Sequence, residues 1–236
     1  MRQSWPTAVL VVALGGVALG AVTAEQEPRH GRLFPPENLG ELEGPDRDAW
    51  QMPDAVMDAL GIADGSRVAD IGAGGGWFTV RLARRVGPNG IVYAQDVQPQ
   101  MLEAIGRRVD REGLTNVRLV RGNEVDPHLA PSSVEVVLIV DAYHEFGGNA
   151  PSLLKHLRAA LEPGGRLGVI EHPLGSGGPG PPAEDRIPAE QVIAEVEAAG
   201  FRLVRRETFL PFQYFLIFER DDSAAPPKTR KAPETR

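Results

Sequence analysis

The sequence contains no cysteine. This absence excludes disulfide bonds, thiolate ligands for metals and a cysteine nucleophile. Basic residues are also few, because 25 lysines and arginines stand against 32 aspartates and glutamates, for a formal net charge of -7. A nucleic-acid-binding surface needs a basic cluster that neutralises phosphates, and the sequence has no such cluster. The composition therefore argues against a nucleic-acid partner.

The amino terminus differs in character from the rest of the chain. An apolar run from Ala8 to Val22 follows Arg2, and Val22 and Ala24 are small enough for the positions that signal peptidase reads. The run is shorter than the roughly 20 apolar residues that span a bilayer. We therefore expect residues 1–24 to be a secretory signal peptide, with an uncleaved membrane anchor as the alternative. In either case the folded part would lie outside the cytoplasm, as in the periplasm, and only this segment would contact a membrane.

The remaining chain divides into three parts. Residues 25–51 are rich in proline, glycine and charge and fit no helical or strand period, which predicts an irregular arm that covers the active site. Residues 52–220 have the length and the apolar content of one α/β domain. Residues 221–236 have few apolar side chains to bury, so we expect a disordered tail.

The domain alternates between predicted strands and helices. Five strands are predicted at "RVADI", "GIVYAQDV", "NVRLVRG", "VEVVLIVDAY" and "RLGVIEH", and the near-continuous apolar run of the fourth predicts a central position. Intervening helices imply parallel pairing, and the helix that begins "PSLLKHL" is predicted to stop at Pro163 and Gly164. At the end, "FRLVRRETF" and "QYFLIFER" are joined by only "LP", which predicts an antiparallel hairpin. The pattern predicts a Rossmann-like, doubly wound α/β sheet.

The first predicted strand runs into a cluster of glycines, "VADIGAGGG", that contains Asp70, Gly72, Gly74 and Gly76. A dinucleotide-binding G-x-G-x-x-G motif would require a glycine at Trp77, so that motif is not satisfied. A carboxylate two residues before the first glycine repels a pyrophosphate and suits a ligand that carries an ammonium group beside a carboxylate. A nicotinamide-dependent oxidoreductase is therefore disfavoured.

Asp96 ends the second predicted strand, where an acid can accept hydrogen bonds from both hydroxyls of a ribose. S-adenosylmethionine is a ligand that carries both an amino acid and a ribose. Residues 48–220 resemble the class I S-adenosylmethionine-dependent methyltransferases. The matching features are "VADIGAGGG", "VYAQDV", "RGNEVDPHLAPSSVEVVLIVDAYHEF", "LEPGGRLGVIEH" and the final hairpin. Within this family the chain is similar to an exported group related to quinone-ring methyltransferases, whose arm carries "GPDRDAWQ" and whose fourth strand ends in "YHEF" or a close variant.

This resemblance implies a seven-stranded sheet whose last strand is antiparallel, and S-adenosylmethionine as the cofactor. The glycines and Asp70 would bind the methionine end, Asp96 the ribose, and Asp141 would lie under the sulfonium. In many relatives an aspartate binds the adenine amino group at the position where this chain has Asn123. Here Asn123, Glu124 or a backbone group would make that contact. Alternatively, Asn123 and Glu124 form an ordinary turn. The implied cofactor-binding residues are Asp70, Gly72, Gly74, Gly76, Asp96, Val97, Asn123, Glu124 and Asp141.

Candidate catalytic residues lie in "DAYHEF", directly after the fourth strand. Methyl transfer from a sulfonium requires alignment and exclusion of water, and a base only where the acceptor loses a proton first. We expect His144 to be that base, oriented by Glu145 or Asp141, and Tyr143 to border the methyl group or the acceptor. Alternatively, His144 and Tyr143 cap the strand and pack against the arm.

Two functions from other classes stay open beside transfer to a small-molecule acceptor. Asp141, His144, Glu171 and His172 follow adjacent strands, so a metal-assisted O-methyltransferase is conceivable, although no residue is assigned as a metal ligand. The other is a noncatalytic module that binds an adenosyl ligand, which the export signal favours because S-adenosylmethionine is made in the cytoplasm. The arm and the loop "PLGSGGPGPPAEDR" should cover the sheet edge and select the acceptor.

Overall fold

The computed structural model describes residues 32–175 and 177–222. The predicted signal peptide at residues 1–24 and residues 223–236 of the predicted tail lie outside the described residues. Within those two ranges, no helix has both the length and the apolar character that crossing a bilayer requires.

A single seven-stranded sheet organises the domain. Its strands are β1 (Arg67–Ile71), β2 (Ile91–Asp96), β3 (Val117–Arg121), β4 (Val134–Val140), β5 (Leu161–Glu171), β6 (Phe201–Glu207) and β7 (Tyr214–Arg220). Their order is β3-β2-β1-β4-β5-β7-β6. Strands β1 to β5 pair in parallel, and β7 pairs antiparallel with both β5 and β6. The structure confirms the predicted fold class and its antiparallel carboxy-terminal hairpin.

Helices cover both faces of the sheet. They are α1 (Arg47–Gln51), α2 (Pro53–Leu60), α3 (Trp77–Val86), α4 (Pro99–Arg111), α5 (Ala150–Ala160) and α6 (Ala189–Ala198). Helices α5 and α6 bury Leu154, Leu157 and Val196 in one apolar cluster, whereas α2 and α3 bury Leu60 and Leu82 in the cluster on the other face. Each such side chain contributes about 1.5–3 kcal/mol on full burial. Strand β4 lies centrally between β1 and β5, as its apolar run predicts.

Two predicted boundaries near the hairpin side of the sheet are wrong. Helix α5 ends at Ala160 rather than at Pro163 and Gly164, because the buried Leu161 already pairs with Val134 as the first residue of β5. The hairpin connection is also longer than "LP", since it spans residues 208–213. Leu210 and Gln213 are buried in this connection, so it folds back onto the domain.

The arm is more regular than predicted, and the domain extends beyond residue 220. Residues Pro36–Glu43 form a 3-10 helix and α1 follows, so the prediction of an irregular arm is wrong over both segments. Proline favours the first helical turn because its backbone lacks the N–H that would be unpaired there. Arg158 Nη2 donates to Asp222 Oδ1 at 3.0 Å and to the Asp221 carbonyl at 2.8 Å. These two residues therefore belong to the domain and not to the tail.

Candidate functional site

A cavity of about 450 Å³ opens at the carboxyl ends of β1, β2 and β4. This is where the strand order reverses, between β1 and β4, and ligands of open α/β sheets bind at such a position. The arm and the loop after β5 form the outer walls. The predicted cofactor residues that line the cavity are Asp70, Gly72, Gly74, Asp96, Val97, Asn123, Glu124 and Asp141.

The glycine loop between β1 and α3 needs glycine for two different reasons. Gly72 and Gly74 have φ of +65° and +54°, and a Cβ on Gly72 would lie 2.6 Å from the Ala142 Cβ. Gly76 precedes α3 with φ of +78°, and a Cβ there would press on Ile105 instead. Gly76 is not among the described residues that line the cavity. Gly76 lets the chain turn into the helix, and its role as a cofactor contact stays a prediction.

Asp70, the predicted partner of an ammonium group, is buried at the end of β1. Thr79 Oγ1 donates a hydrogen bond to Asp70 Oδ2 at 2.6 Å. Burial raises the pKa of Asp70 to about 6, although the Thr79 hydrogen bond and the Arg47 charge each lower it. Sequence reasoning did not single out Thr79, because a threonine inside a helix carries no signal of such a contact.

Asp96 joins the glycine loop to the start of α4. The Gly74 N–H donates to its Oδ2 at 3.0 Å, and the Gln98 N–H donates to its Oδ1 at 2.9 Å. Burial raises the pKa of Asp96, and these N–H donors partly offset that effect. A carboxylate offers about four acceptor positions, so acceptor capacity remains for a ligand.

Asn123 and Glu124 line the cavity beyond β3, and both are engaged with the protein. Asn123 Oδ1 accepts from the N–H groups of Val125 and Asp126, each at 2.9 Å, which is the geometry of a turn closed by an asparagine. Asn149, which precedes α5, donates to Glu124 Oε2 at 3.1 Å. This pair thus forms a turn that also borders the cavity.

Asp141 follows β4 with a left-handed φ of +51°. Gln213 Nε2 donates to both of its carboxylate oxygens, at 2.8 and 2.9 Å, and His172 Nε2 lies 3.3 Å from Oδ1. Burial acts to raise the pKa of Asp141, but the neighbouring His172 and the charge of Arg47 outweigh it and lower that pKa. Asp141 therefore presents a negative charge to the cavity.

His144 lines the cavity and is held from behind by Glu171. Its Nδ1 lies 3.0 Å from both oxygens of the fully buried Glu171, and its backbone N–H donates to Glu171 Oε1 at 3.2 Å. The expectation that Glu145 or Asp141 orients His144 is corrected, because Glu171 at the end of β5 does so. Burial lowers the pKa of His144, but the Glu171 charge outweighs it and raises that pKa to about 9.

Glu145, the next residue, contacts the arm. Its Oε1 accepts the Phe34 N–H at 3.0 Å, and Gln98 Nε2 donates to the Phe34 carbonyl at 2.9 Å. Burial raises the pKa of Glu145 to about 7, against the lowering effect of the His144 charge. The arm thus lies across the cavity between the ends of β2 and β4.

Tyr143 faces the protein interior. It is 1% exposed in the cluster that includes α5 and α6, and its hydroxyl donates to Glu195 Oε2 at 2.8 Å. It is absent from the described residues that line the cavity. Tyr143 and His144 are consecutive in a 3-10 turn, so their side chains diverge. The predicted role of Tyr143 beside the methyl group or the acceptor is therefore corrected to packing.

The four side chains that raised the metal alternative form two separate pairs, His144 with Glu171 and His172 with Asp141. In the part of the chain that the structure describes, no three or more histidines, aspartates or glutamates are grouped as a metal site would require.

Arg47 of the arm reaches the cavity, although its residue type alone gave no reason to select it. Its guanidinium lies 4.3 Å from the centre of the Trp77 ring, and that of Arg81 lies 3.5 Å from the same centre. Arg47 Nη1 also donates to the Leu42 carbonyl at 2.5 Å. The arm is thereby fixed to the start of α3.

Comparisons with known proteins agree with this architecture. A family model described as a methyltransferase domain matches residues 68–165. A demethylmenaquinone methyltransferase of Geobacillus stearothermophilus is 32% identical over 120 residues, 49% of each chain. A tRNA (guanine-N(7)-)-methyltransferase of Mycobacterium avium is 32% identical over 169 residues, 70% of this chain and 61% of that one. The chain thus spans about half to three fifths of the length of these two relatives.

A solved structure is similar to this chain over most of its length. The crystal structure of an S-adenosylmethionine-dependent methyltransferase from Aquifex aeolicus superposes with a TM-score of 0.75 at 27% identity, over 79% of this chain and 98% of that one. Residues 68–165 of the family match include strands β2 to β4, the glycine loop, Asp70, Asp96 and Asp141. Residues 68–165 therefore form a methyltransferase domain, and these similarities support S-adenosylmethionine as its cofactor.

Proposed function

We propose that this protein transfers a methyl group from S-adenosylmethionine to a small, apolar acceptor. The observation that carries the proposal is the placement of three acids, Asp70, Asp96 and Asp141, around a glycine loop at the ends of three neighbouring strands. The cofactor, when bound, supplies a methyl group made electrophilic by the adjacent sulfonium charge.

The residues present fit that cofactor. Gly72, Gly74 and their neighbours leave backbone rather than side chain at the cavity wall, which allows a ligand to approach closely. Asp70 and Asp141 are suited to a ligand with an ammonium and a sulfonium charge. Asp96 would accept from ribose hydroxyls while it keeps its two backbone N–H donors. We propose these roles for the cavity-lining residues, with Asn123, Glu124 and Val97 bordering the adenine.

The contribution of the protein is alignment, exclusion of water and control of one proton. The arm and residues 179–182 cover the cavity, which supports exclusion of water from the reacting groups. Glu171 fixes the His144 ring through Nδ1, so Nε2 is the nitrogen left to accept a proton from the acceptor. Because the pKa of His144 is raised to about 9, only a minor fraction is in the basic form at neutral pH.

The charge of the cavity lining supports a small acceptor rather than RNA. Among the described residues, nine acidic side chains but only two arginines and His144 line the cavity. Such a surface repels a phosphate backbone, which a protein must neutralise in order to bind a nucleic acid. Apolar side chains that line the same space include Phe34, Trp50, Phe146 and Leu153. An uncharged or cationic apolar compound is therefore the acceptor class that we propose.

Calorimetry with S-adenosylmethionine tests the cofactor site. Asp96→Ala and Gly74→Val should each weaken binding by about tenfold or more, because one removes a charged acceptor and the other fills a left-handed position. Asp110→Ala, an exposed acid on α4, is the matched control and should bind normally. Undiminished binding in both site variants would overturn the site assignment.

Release of S-adenosylhomocysteine tests the acceptor class and separates an enzyme from a noncatalytic binding module. We expect release with small apolar hydroxyl or amine compounds and none with bulk tRNA. Release with tRNA alone would contradict the proposed acceptor, and cofactor binding without release from any acceptor would favour the binding module.

We also propose that the protein acts outside the cytoplasm, on the strength of residues 1–24 in the sequence. Cell fractionation with a carboxy-terminal tag checks this, since recovery of an uncleaved chain in the cytoplasm would contradict export.

A further inference from the structure

Four polar residues form a continuous hydrogen-bonded series from the arm to the end of β4. Arg47 Nε donates to Gln51 Oε1 at 3.1 Å, and Gln51 Nε2 donates to Gln213 Oε1 at 2.5 Å. Gln213 Nε2 then donates to both oxygens of Asp141, at 2.8 and 2.9 Å. The donors all point the same way, from a cation on the arm to an anion at the cavity.

The two glutamines of this series are buried, and they come from distant parts of the chain. Gln51 is 0% exposed and Gln213 is 5% exposed. Gln51 ends α1 of the arm, whereas Gln213 ends the connection between β6 and β7. A buried amide that loses its partner costs far more than an exposed one, so these groups strongly favour the arrangement in which both are paired.

The glutamine side chain suits this place because it donates and accepts without titrating. An acid at position 213 would repel Asp141. An apolar residue would remove both hydrogen bonds to that carboxylate and leave the Gln51 Nε2 group without its acceptor. Asp141 is moreover held with a left-handed backbone, which costs free energy and persists only where surrounding contacts fix it. Gln213 supplies two such contacts.

We propose that Gln213 is a positioning residue that couples the arm to the Asp141 carboxylate, so that closure of the arm and binding of the cofactor reinforce each other. The proposal rests on the proposed function, because Asp141 is taken to face the sulfonium. Since the arm and Asp141 line the same cavity, anything that orders one of them through Gln213 orders the other.

The test combines calorimetry with hydrogen exchange on the full chain, using S-adenosylhomocysteine and S-adenosylmethionine as ligands. Gln213→Leu should weaken the binding of S-adenosylmethionine by about tenfold or more. Without ligand it should speed exchange at residues 36–51, and saturating ligand should still protect the glycine loop but no longer the arm. The control is Gln191→Leu, which removes an exposed glutamine that donates to Glu195 at 2.9 Å, and it should behave as the wild type.

A double variant separates coupling from simple loss of packing. If the two glutamines act through one series, Gln51→Leu combined with Gln213→Leu should weaken binding little more than either change alone. If Gln213→Leu fails to fold, Gln51→Leu breaks the same series from the arm side and keeps the bonds to Asp141. Binding within twofold of the wild type, together with unchanged exchange of the arm, would overturn the proposal.

Failure of the proposed function would look different. A wild-type protein that binds neither ligand would contradict the cofactor site. Faster hydrogen exchange of the arm in ligand-free Gln213→Leu would still support the coupling of the arm to Gln213.

Discussion

The Thr79 hydroxyl lies 2.6 Å from Asp70 Oδ2, so that the first turn of α3 is bonded to the end of β1 across the glycine loop. Both side chains are buried, at 0% and 3% exposure. The hydrogen bond fixes the carboxylate before any ligand arrives. It also favours the charged form of an acid whose pKa burial still raises to about 6. Asp70 is therefore ready to bind a cation at neutral pH.

Thr79→Val keeps the shape of the side chain and removes this donor. The pKa of Asp70 should rise above about 6, so that binding of S-adenosylmethionine weakens more at pH 6.5 than at pH 8.5. The free energy of unfolding should fall by about 1–3 kcal/mol. Calorimetry at both pH values and denaturant unfolding measure these effects, with the exposed Thr115→Val as control. Equal losses of affinity at the two pH values would contradict this role of Thr79.

The His144 and Glu171 pair should govern how activity and stability depend on pH. Loss of the Glu171 charge in Glu171→Gln should lower the pKa of His144, so that the rise of kcat/KM with pH, expected near pH 9 in the wild type, moves to lower pH. A histidine whose pKa is higher in the folded state stabilises that state fully below pH 6.5, and the contribution is lost as the pH passes about 9. It amounts to about 3 kcal/mol.

Rates of S-adenosylhomocysteine release between pH 6 and 10, and unfolding at pH 6 and 9.5, measure both effects of Glu171→Gln. The difference in stability from the wild type should be larger at pH 6. Glu197→Gln, on the exposed face of α6, is the matched control. An unchanged pH profile in Glu171→Gln would exclude His144 as the group that titrates.

Alanine at two positions of the glycine loop should separate damage to the loop from displacement of the arm. Gly72→Ala forces a left-handed residue against Ala142, which should cost about 1–3 kcal/mol of stability and most of the cofactor affinity. A Cβ on Gly75 would meet the flexible side chain of Leu39 on the arm. Gly75→Ala should therefore weaken cofactor binding yet unfold within about 1 kcal/mol of the wild type. Thermal melts and calorimetry of both variants decide; equal losses of stability would contradict the distinction.

Tyr143→Phe should leave the rate of methyl transfer within about twofold of the wild type. Its hydroxyl donates only to Glu195 among the described contacts, so its loss should lower the free energy of unfolding by about 1 kcal/mol. His144→Asn, by comparison, should reduce kcat and leave the affinity for S-adenosylmethionine nearly unchanged. A large fall of kcat in Tyr143→Phe would place that hydroxyl at the reaction after all.

The order and direction of the strands could be predicted because buried parallel strands and amphipathic helices have distinct apolar periods. Strand ends could be located as well, and these carry Asp70, Asp96 and Asp141. Their partners could not be predicted in the same way. Thr79 and Gln213 are neutral polar residues of kinds common on any surface, and only the folded chain brings Gln213 within reach of Asp141, 72 positions away.

A second limit on prediction from the sequence concerns adjacent residues in a turn. His144 lines the cavity and Tyr143 packs inside, although both follow β4 in one short 3-10 turn. Which of the two faces a ligand depends on the rotation of that turn, and no period in the sequence reports it. The prediction for the end of α5 is wrong for a related reason. Proline and glycine lie where the pairing of β5 with β4 shifts register, whereas pairing of Leu161 with Val134 ends the helix earlier.

Strand β7 lies between β5 and β6 although it comes last among the strands of the described residues. During synthesis, β5 therefore has no neighbour on that side until residues 214–220 have left the ribosome. Phe215 and Phe218, both 0% exposed in the finished domain, complete the two faces of the sheet only at that stage. Before β7 pairs, the edge of β5 and the apolar surface beside it are open to pairing with another chain, a state that favours aggregation.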